Sequence, residues 1–347
     1  MVLSKKGFEL QFHWIFIMIA GALILAFFFS VAQKQRALSQ EKLSLTLASD
    51  VENIFTGAIV SRGTAQVLPV PPQGIAFECS EGCECRFRIG RASRDFGDKV
   101  MFAPALLSGR DVVVWAVEWK QPYRVTNFLF LTNQNIKYYF VYNDADQQSK
   151  NVLEQLTKNL PPLVNYEKIT DGALPGVENE DYETVVFVLL NVKPVTLDSS
   201  FRRADVRAVE VINVPPQAHL NFYRNDGVEL VYEAAWPIID LTAIYAAIFA
   251  DSPKMYECGM KSAFKKMSYV SELYAERAEV LEDDAIAAEK VWCVYENSVS
   301  ALREQRNLAK SLVSSLEQSK IAQLNPLMNE LDRQNRVLVQ QSCPEMF

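Results

Sequence analysis

WIFIMIAGALILAFFF, residues 14 to 29, contains no formal charge and no strongly polar side chain, and it constrains this chain more than any other stretch. Phe12 and Val31-Ala32 extend it to about 20 residues, enough at 1.5 Å per residue to cross a hydrocarbon core of roughly 30 Å. In that medium only a helix satisfies its own backbone donors and acceptors. A core helix would carry polar residues on one side, and this one carries none. The reading is a single transmembrane helix over 12–32, preceded by a cytoplasmic tail over 1–11. A cleaved secretory signal is the competitor, because Ser30-Val31-Ala32 has a small-x-small pattern that would place the cut after Ala32, and Lys5-Lys6 supplies a basic lead. The length of the apolar run and Glu9 within the lead favour retention.

Flanking charge does not orient the helix. Lys5, Lys6 and the α-amine stand against Glu9 on one side, and Lys34, Arg36 and Lys42 against Glu41 on the other. KKGFEL, just before the apolar run, resembles the cleavage signature of type IV prepilins and its archaeal class III form. In that family a peptidase cuts after a glycine and leaves a hydrophobic helix as an assembly stem. Lys5, Lys6, Gly7 and Phe8 match the pattern, whereas Glu9 stands at the second position after the cut instead of the fifth. The resemblance implies processing at Gly7 and a pilin-like filament subunit.

Beyond the membrane segment the chain reads as a stalk helix over 33–66. Leu43, Leu47, Val51, Ile54, Phe55 and Ile59 form one apolar face of it. VLPVPPQG (67–74) reads as a stiff connector. Residues 67–98 are expected to be a cysteine-rich β unit turning at Ser80-Glu81-Gly82. Residues 99–252 are expected to be a mixed α/β domain, with strands over 112–119, 127–131, 136–142, 165–169, 184–192, 205–214 and 227–236, and a helix over 149–162. A strand, a helix and a continuously apolar strand in succession imply a sheet covered on both faces. Residues 253–347 read as a helical hairpin module, with a helix restarting at Asn325-Pro326. The fold class is thus α/β with a mixed sheet, a C-terminal helical module and one N-terminal transmembrane helix.

The six cysteines, Cys79, Cys83, Cys85, Cys258, Cys293 and Cys343, decide the compartment. C-x3-C-x-C without a nearby histidine or a second pair does not make a zinc site. An even set beside a membrane-targeting segment reads as disulfides, which persist where thiols are not kept reduced. The preferred pairing joins Cys79 to Cys83 or Cys85, the remaining cluster cysteine to Cys293, and Cys258 to Cys343; fifteen pairings are possible. The body is therefore expected outside the cytoplasm.

Chemistry is sparse. No glycine-rich phosphate loop is present, and with two histidines and a net charge of -7 the chain lacks the basic stripe that nucleic-acid binding needs. Asp144 and Asp146 follow a strand, where they suit a turn and a helix N-terminus or a polar site. His219 has no identifiable catalytic partner. The aromatics Trp115, Trp119, Tyr123, Phe128 and Phe130 suit a core, with any exposed remainder suiting protein or glycan contact. The reading is a single-pass protein of the cell membrane, extracytoplasmic and interacting with the bilayer through 12–32 and with other membrane or surface proteins. It needs no cofactor. A membrane-anchored hydrolase using the carboxylates of the 140s or of 178–181 is the alternative.

Overall fold

The computed structural model describes residues 6–61, 63–194, 196–212, 218–227 and 229–347. Lys5 and the residues before it, and positions 213–214 of the strand expected over 205–214, lie outside them. One helix, α1 (Lys6–Val60), runs unbroken for 55 residues, about 80 Å at the helical rise. No proline precedes Pro69 to interrupt it. It ends six residues short of the 33–66 expected of the stalk, because Gly63 turns the chain with φ +61. Asn127 Nδ2 donates to the Ser61 carbonyl at 2.6 Å and so satisfies a carbonyl just past the helix end. The face that enters the body is Ser44, Ala48, Val51, Phe55 and Ala58, all buried. Leu43, expected on that stripe, is exposed instead. The small residues at 44, 48 and 58 let α1 lie close to the sheets, and the bulk comes from Phe55, edge-on to Phe87 at 5.5 Å.

Eight strands follow in the first part of the body. They are β1 (Ala65–Pro69), β2 (Ile75–Cys79), β3 (Cys85–Ile89), β4 (Ala92–Asp95), β5 (Val100–Phe102), β6 (Leu106–Leu107), β7 (Asp111–Lys120) and β8 (Arg124–Thr132). The proline-rich connector therefore starts as an edge strand, with Val67–Pro69 paired to β7. Proline is tolerated there because an edge leaves one side of the strand without a ladder to complete. Two four-stranded sheets result, ordered β1-β7-β8-β5 and β4-β3-β2-β6.

The third sheet is built from β9 (Ile136–Tyr142), β10 (Tyr166–Thr170), β11 (Thr184–Leu190), β12 (Asp205–Ile212), β13 (His219–Asn225) and β14 (Leu230–Pro237), with α2 (Gln147–Lys158) following β9. Its order is β10-β9-β11-β12-β13-β14. The first four strands are parallel and the last two antiparallel. The sheet is mixed, as its spacing of strands and helices implies. Continuous burial along β11, Val185 to Leu190, reflects cover on both faces.

Four further helices complete the chain: α3 (Leu241–Phe249), α4 (Pro253–Ala287), α5 (Glu296–Ser314) and α6 (Gln318–Gln340). Every residue from Ala243 to Phe249 is buried. Pro326 lies inside α6, which begins at Gln318, so the helix does not restart at Asn325-Pro326. Burial of Ile321, Leu324, Leu331 and Leu338 on one face holds the helix through the missing backbone donor. One hydrophobic core runs from Ala48 of α1 through the sheets to Leu324 of α6. A second, around Tyr123, Tyr295, Leu302 and Leu331, holds the far end of the helices.

Candidate functional site

The N-terminal part of α1 stands free of the body. Its most apolar window has a mean hydropathy of 2.7 with none of its residues buried, and it is long and apolar enough to cross a membrane. Trp14, Phe16, Leu25 and Phe29 are each about two-thirds or more exposed. Exposure of so many large apolar side chains is unfavourable in water, by about 25 cal/mol per Å² of surface, and marks a surface that needs lipid or another protein against it. Gly7 is the second residue of this helix and Ala32 lies within it.

The parallel strands bring the carboxylates of the 140s to the place where open sheets of this kind ordinarily bind ligands. Chain order reverses between β9 and β11, and the crevice lies beyond their C-terminal ends. Here, however, the polar groups engage one another. Asp146 caps α2, accepting from Gln148 N at 2.9 Å, and its other oxygen accepts from Asn191 Nδ2 at 3.0 Å. Ser149 Oγ accepts from Asn143 N at 3.2 Å and donates to the Leu190 carbonyl at 2.8 Å. Asp144 pairs with Lys150 at 2.9 Å. The Asn191 and Gln148 donors hold the Asp146 carboxyl below its usual range. The arrangement ties β9, α2 and β11 together.

His219 opens β13 at the same end of the sheet, but β11 and β12 lie between its strand and β9, three strand spacings or about 14 Å. It lines a shallow apolar groove with Ala235, Trp236, Pro237 and Leu316. The three residues singled out in the sequence do not form one site. A polar cluster not expected from sequence sits beside it. Buried Glu210 accepts from Asn221 Nδ2 and from Tyr223 Oη, both at 2.8 Å. Its signal was Glu210, an acid set between Val209 and Val211 well inside the strand DVRAVEVI. Arg207, on the opposite face of β12, is also buried and donates to the Ala250 carbonyl at the end of α3. Among the described residues, no group of three or more His, Cys, Asp or Glu is placed to hold a metal ion.

All six cysteines are paired, as Cys79–Cys85, Cys83–Cys258 and Cys293–Cys343. The preferred pairing is corrected in two bonds. Cys79 and Cys85 are direct cross-strand partners in β2 and β3, so their bond closes the hairpin. That leaves Cys83 in the turn, with φ 62, facing α4. Cys258 lies inside α4, within reach of that turn. Cys293, in the connection between α4 and α5, then ties to Cys343 past the end of α6.

The aromatics between 115 and 130 leave no exposed remainder: Trp115, Trp119, Tyr123, Phe128 and Phe130 are all buried. The exposed apolar side chains of the body lie elsewhere, notably Tyr269, Leu273, Val291 and Trp292 on α4 and the turn after it. No family model, curated protein or solved structure matches this chain.

Proposed function

We infer that this chain is a membrane-anchored, extracytoplasmic structural or interaction protein, working as a subunit of a membrane or surface-appendage complex. The observation that carries this reading is that anchor and body share one helix. The apolar stem of α1 is bare, yet from Ser44 to Ala58 one face of the same helix is core. A body so attached cannot swivel on a flexible linker, so the anchor fixes its orientation as well as its distance from the membrane. Anchoring also raises its effective concentration toward other membrane proteins. Three disulfides suit an oxidising compartment, and the bilayer is the first partner.

A filament subunit is the second reading, supported by exposed Leu38, Leu43 and Leu45 beyond the length a bilayer covers. Packed stems of neighbouring copies would cover them. Intact-mass measurement of membrane-expressed protein, with and without reductant, tests both readings. A mass loss matching removal of residues 1–7 supports the filament subunit, and an uncut chain supports the anchor. A gain of two hydrogens per bond on reduction supports the oxidising side. Free thiols in freshly isolated protein would overturn the extracytoplasmic assignment.

A further inference from the structure

The body carries a basic rim where α1 emerges from it. Strand β3 runs back along the helix toward the stem: Phe87 packs on Phe55, and Gly90, just past β3, reaches Ser44. Gly90 has φ +57, and a Cβ there would lie 2.8 Å from Ser44 Oγ, so the β3–β4 turn closes directly on a buried residue of α1. Strand β4 then returns, with Arg94 pairing with Glu52 at 3.5 Å. The tip of this hairpin presents Arg88 and Arg91, both exposed. Arg91 shares a notch with Gln40, Glu41 and Ser44 of α1 and with Gln73 from the turn before β2.

Lys34, Arg36 and Lys42 are also exposed on the part of α1 between the apolar segment and this notch. Over residues 33–44 and 88–91 the chain carries five cations, with Glu41 the only carboxylate, in a protein whose net charge is -7. The distance fits. From Ala32 to Gln40 the helix rises about 12 Å. The headgroup layer occupies some 5–7 Å of this, and helix tilt and long arginine side chains cover the difference.

We propose that this rim seats the body on the bilayer by binding the phosphates of anionic lipid headgroups in the leaflet from which the stem emerges. Five cations brought to one surface from two chain segments match that chemistry, each contributing about fivefold to association with an anionic surface at low salt. The inference rests on the membrane-anchor reading, and its test separates the two. Full-length protein is reconstituted into phosphatidylcholine vesicles with or without phosphatidylglycerol, checked by flotation, and its hydrogen exchange is followed over residues 33–44 and 86–94. The expected result is flotation with both lipids, and several-fold slower exchange of the hairpin tip with phosphatidylglycerol only. Raised salt and the double variant Arg88→Gln, Arg91→Gln should both abolish the slowing. Flotation with both lipids and identical exchange overturns the seating alone. Absence of flotation overturns the anchor, and the seating with it.

Discussion

Cys83 and Cys258, 175 residues apart in sequence, are bonded with their Cα atoms 5.1 Å apart, joining the turn of the β2–β3 hairpin to α4. Cys79 and Cys85, only six positions apart, lock the hairpin that carries that turn. The long bond holds two distant chain segments together, whereas the short one stiffens a structure that is already local.

This difference sets the first prediction. Loop-closure entropy assigns the long bond about 5 kcal/mol and the short one about 2 kcal/mol. The variant Cys83→Ala, Cys258→Ala should therefore lose more stability than Cys79→Ala, Cys85→Ala. Denaturant unfolding of the detergent-solubilised protein, followed by tryptophan fluorescence, measures both. Equal losses would mean that the hairpin, not the long cross-link, organises this part of the fold.

The pairing shows where the sequence was legible. The uncharged run of 14–29, the strand at 136–142 and the apolar β11 were readable because each is a local pattern with its own period. The bonding partners of Cys83 and Cys293 were not, because they depend on which face of α4 meets the hairpin. The carboxylates at 144 and 146 were visible as acids after a strand, but their engagement depended on Asn191, which arrives through the parallel register of β9 and β11. The basic rim was hidden for the same reason: Arg88 and Arg91 join Lys34 and Arg36 only when β3 runs back along α1.

Asn191 should tune the acidity of Asp146. The carboxyl is held low first by the Asn191 amide and then by backbone N–H groups of α2. A depressed folded value means stability that is present above the unfolded carboxyl range and lost as pH falls through the folded value. Asn191 has φ 53, so Asn191→Gly removes the amide without straining the backbone. The Asp146 carboxyl, followed by carbon NMR, should titrate closer to its ordinary range in this variant, at a cost of about 1 kcal/mol. An unchanged titration would assign the shift to the helix N-terminus alone.

Asp240 should show the opposite dependence. Burial raises its carboxyl above the usual range, against the pull of donors from Ala243 N, Trp119 Nε1 and Gln121 Nε2. Folding therefore favours its protonated form. Its contribution is fully present below the unfolded carboxyl value and is lost as pH rises through the folded value. In Asp240→Asn the amide can still accept from Ala243, but its N–H2 then meets the Trp119 and Gln121 donors. That mismatch should cost on the order of 2 kcal/mol at neutral pH. The stability difference between wild type and variant should widen as pH is lowered from neutral toward the carboxyl range. A difference that narrows on acidification would contradict the raised value.

Gly259 gives a case in which two effects of opposite sign can be ranked. It lies inside α4, where glycine is worse than alanine by about 1 kcal/mol, so Gly259→Ala should stabilise if propensity alone mattered. A Cβ there would lie 2.4 Å from the Phe102 ring. That ring cannot swing away, because it is fully buried and packed on Phe128 and Phe130 at 5.4 and 5.8 Å. Overpacking of this kind costs about 1–3 kcal/mol, and a contact well inside van der Waals distance belongs at the upper end. The clash outweighs the propensity gain, so Gly259→Ala should lower stability by about 1–2 kcal/mol. Pairing it with Phe102→Leu should recover part of the loss, because the smaller side chain vacates the space the methyl needs. Coupling between the two substitutions in a double-mutant cycle is the measurement, and strict additivity would show that α4 does not press on β5 as closely as described.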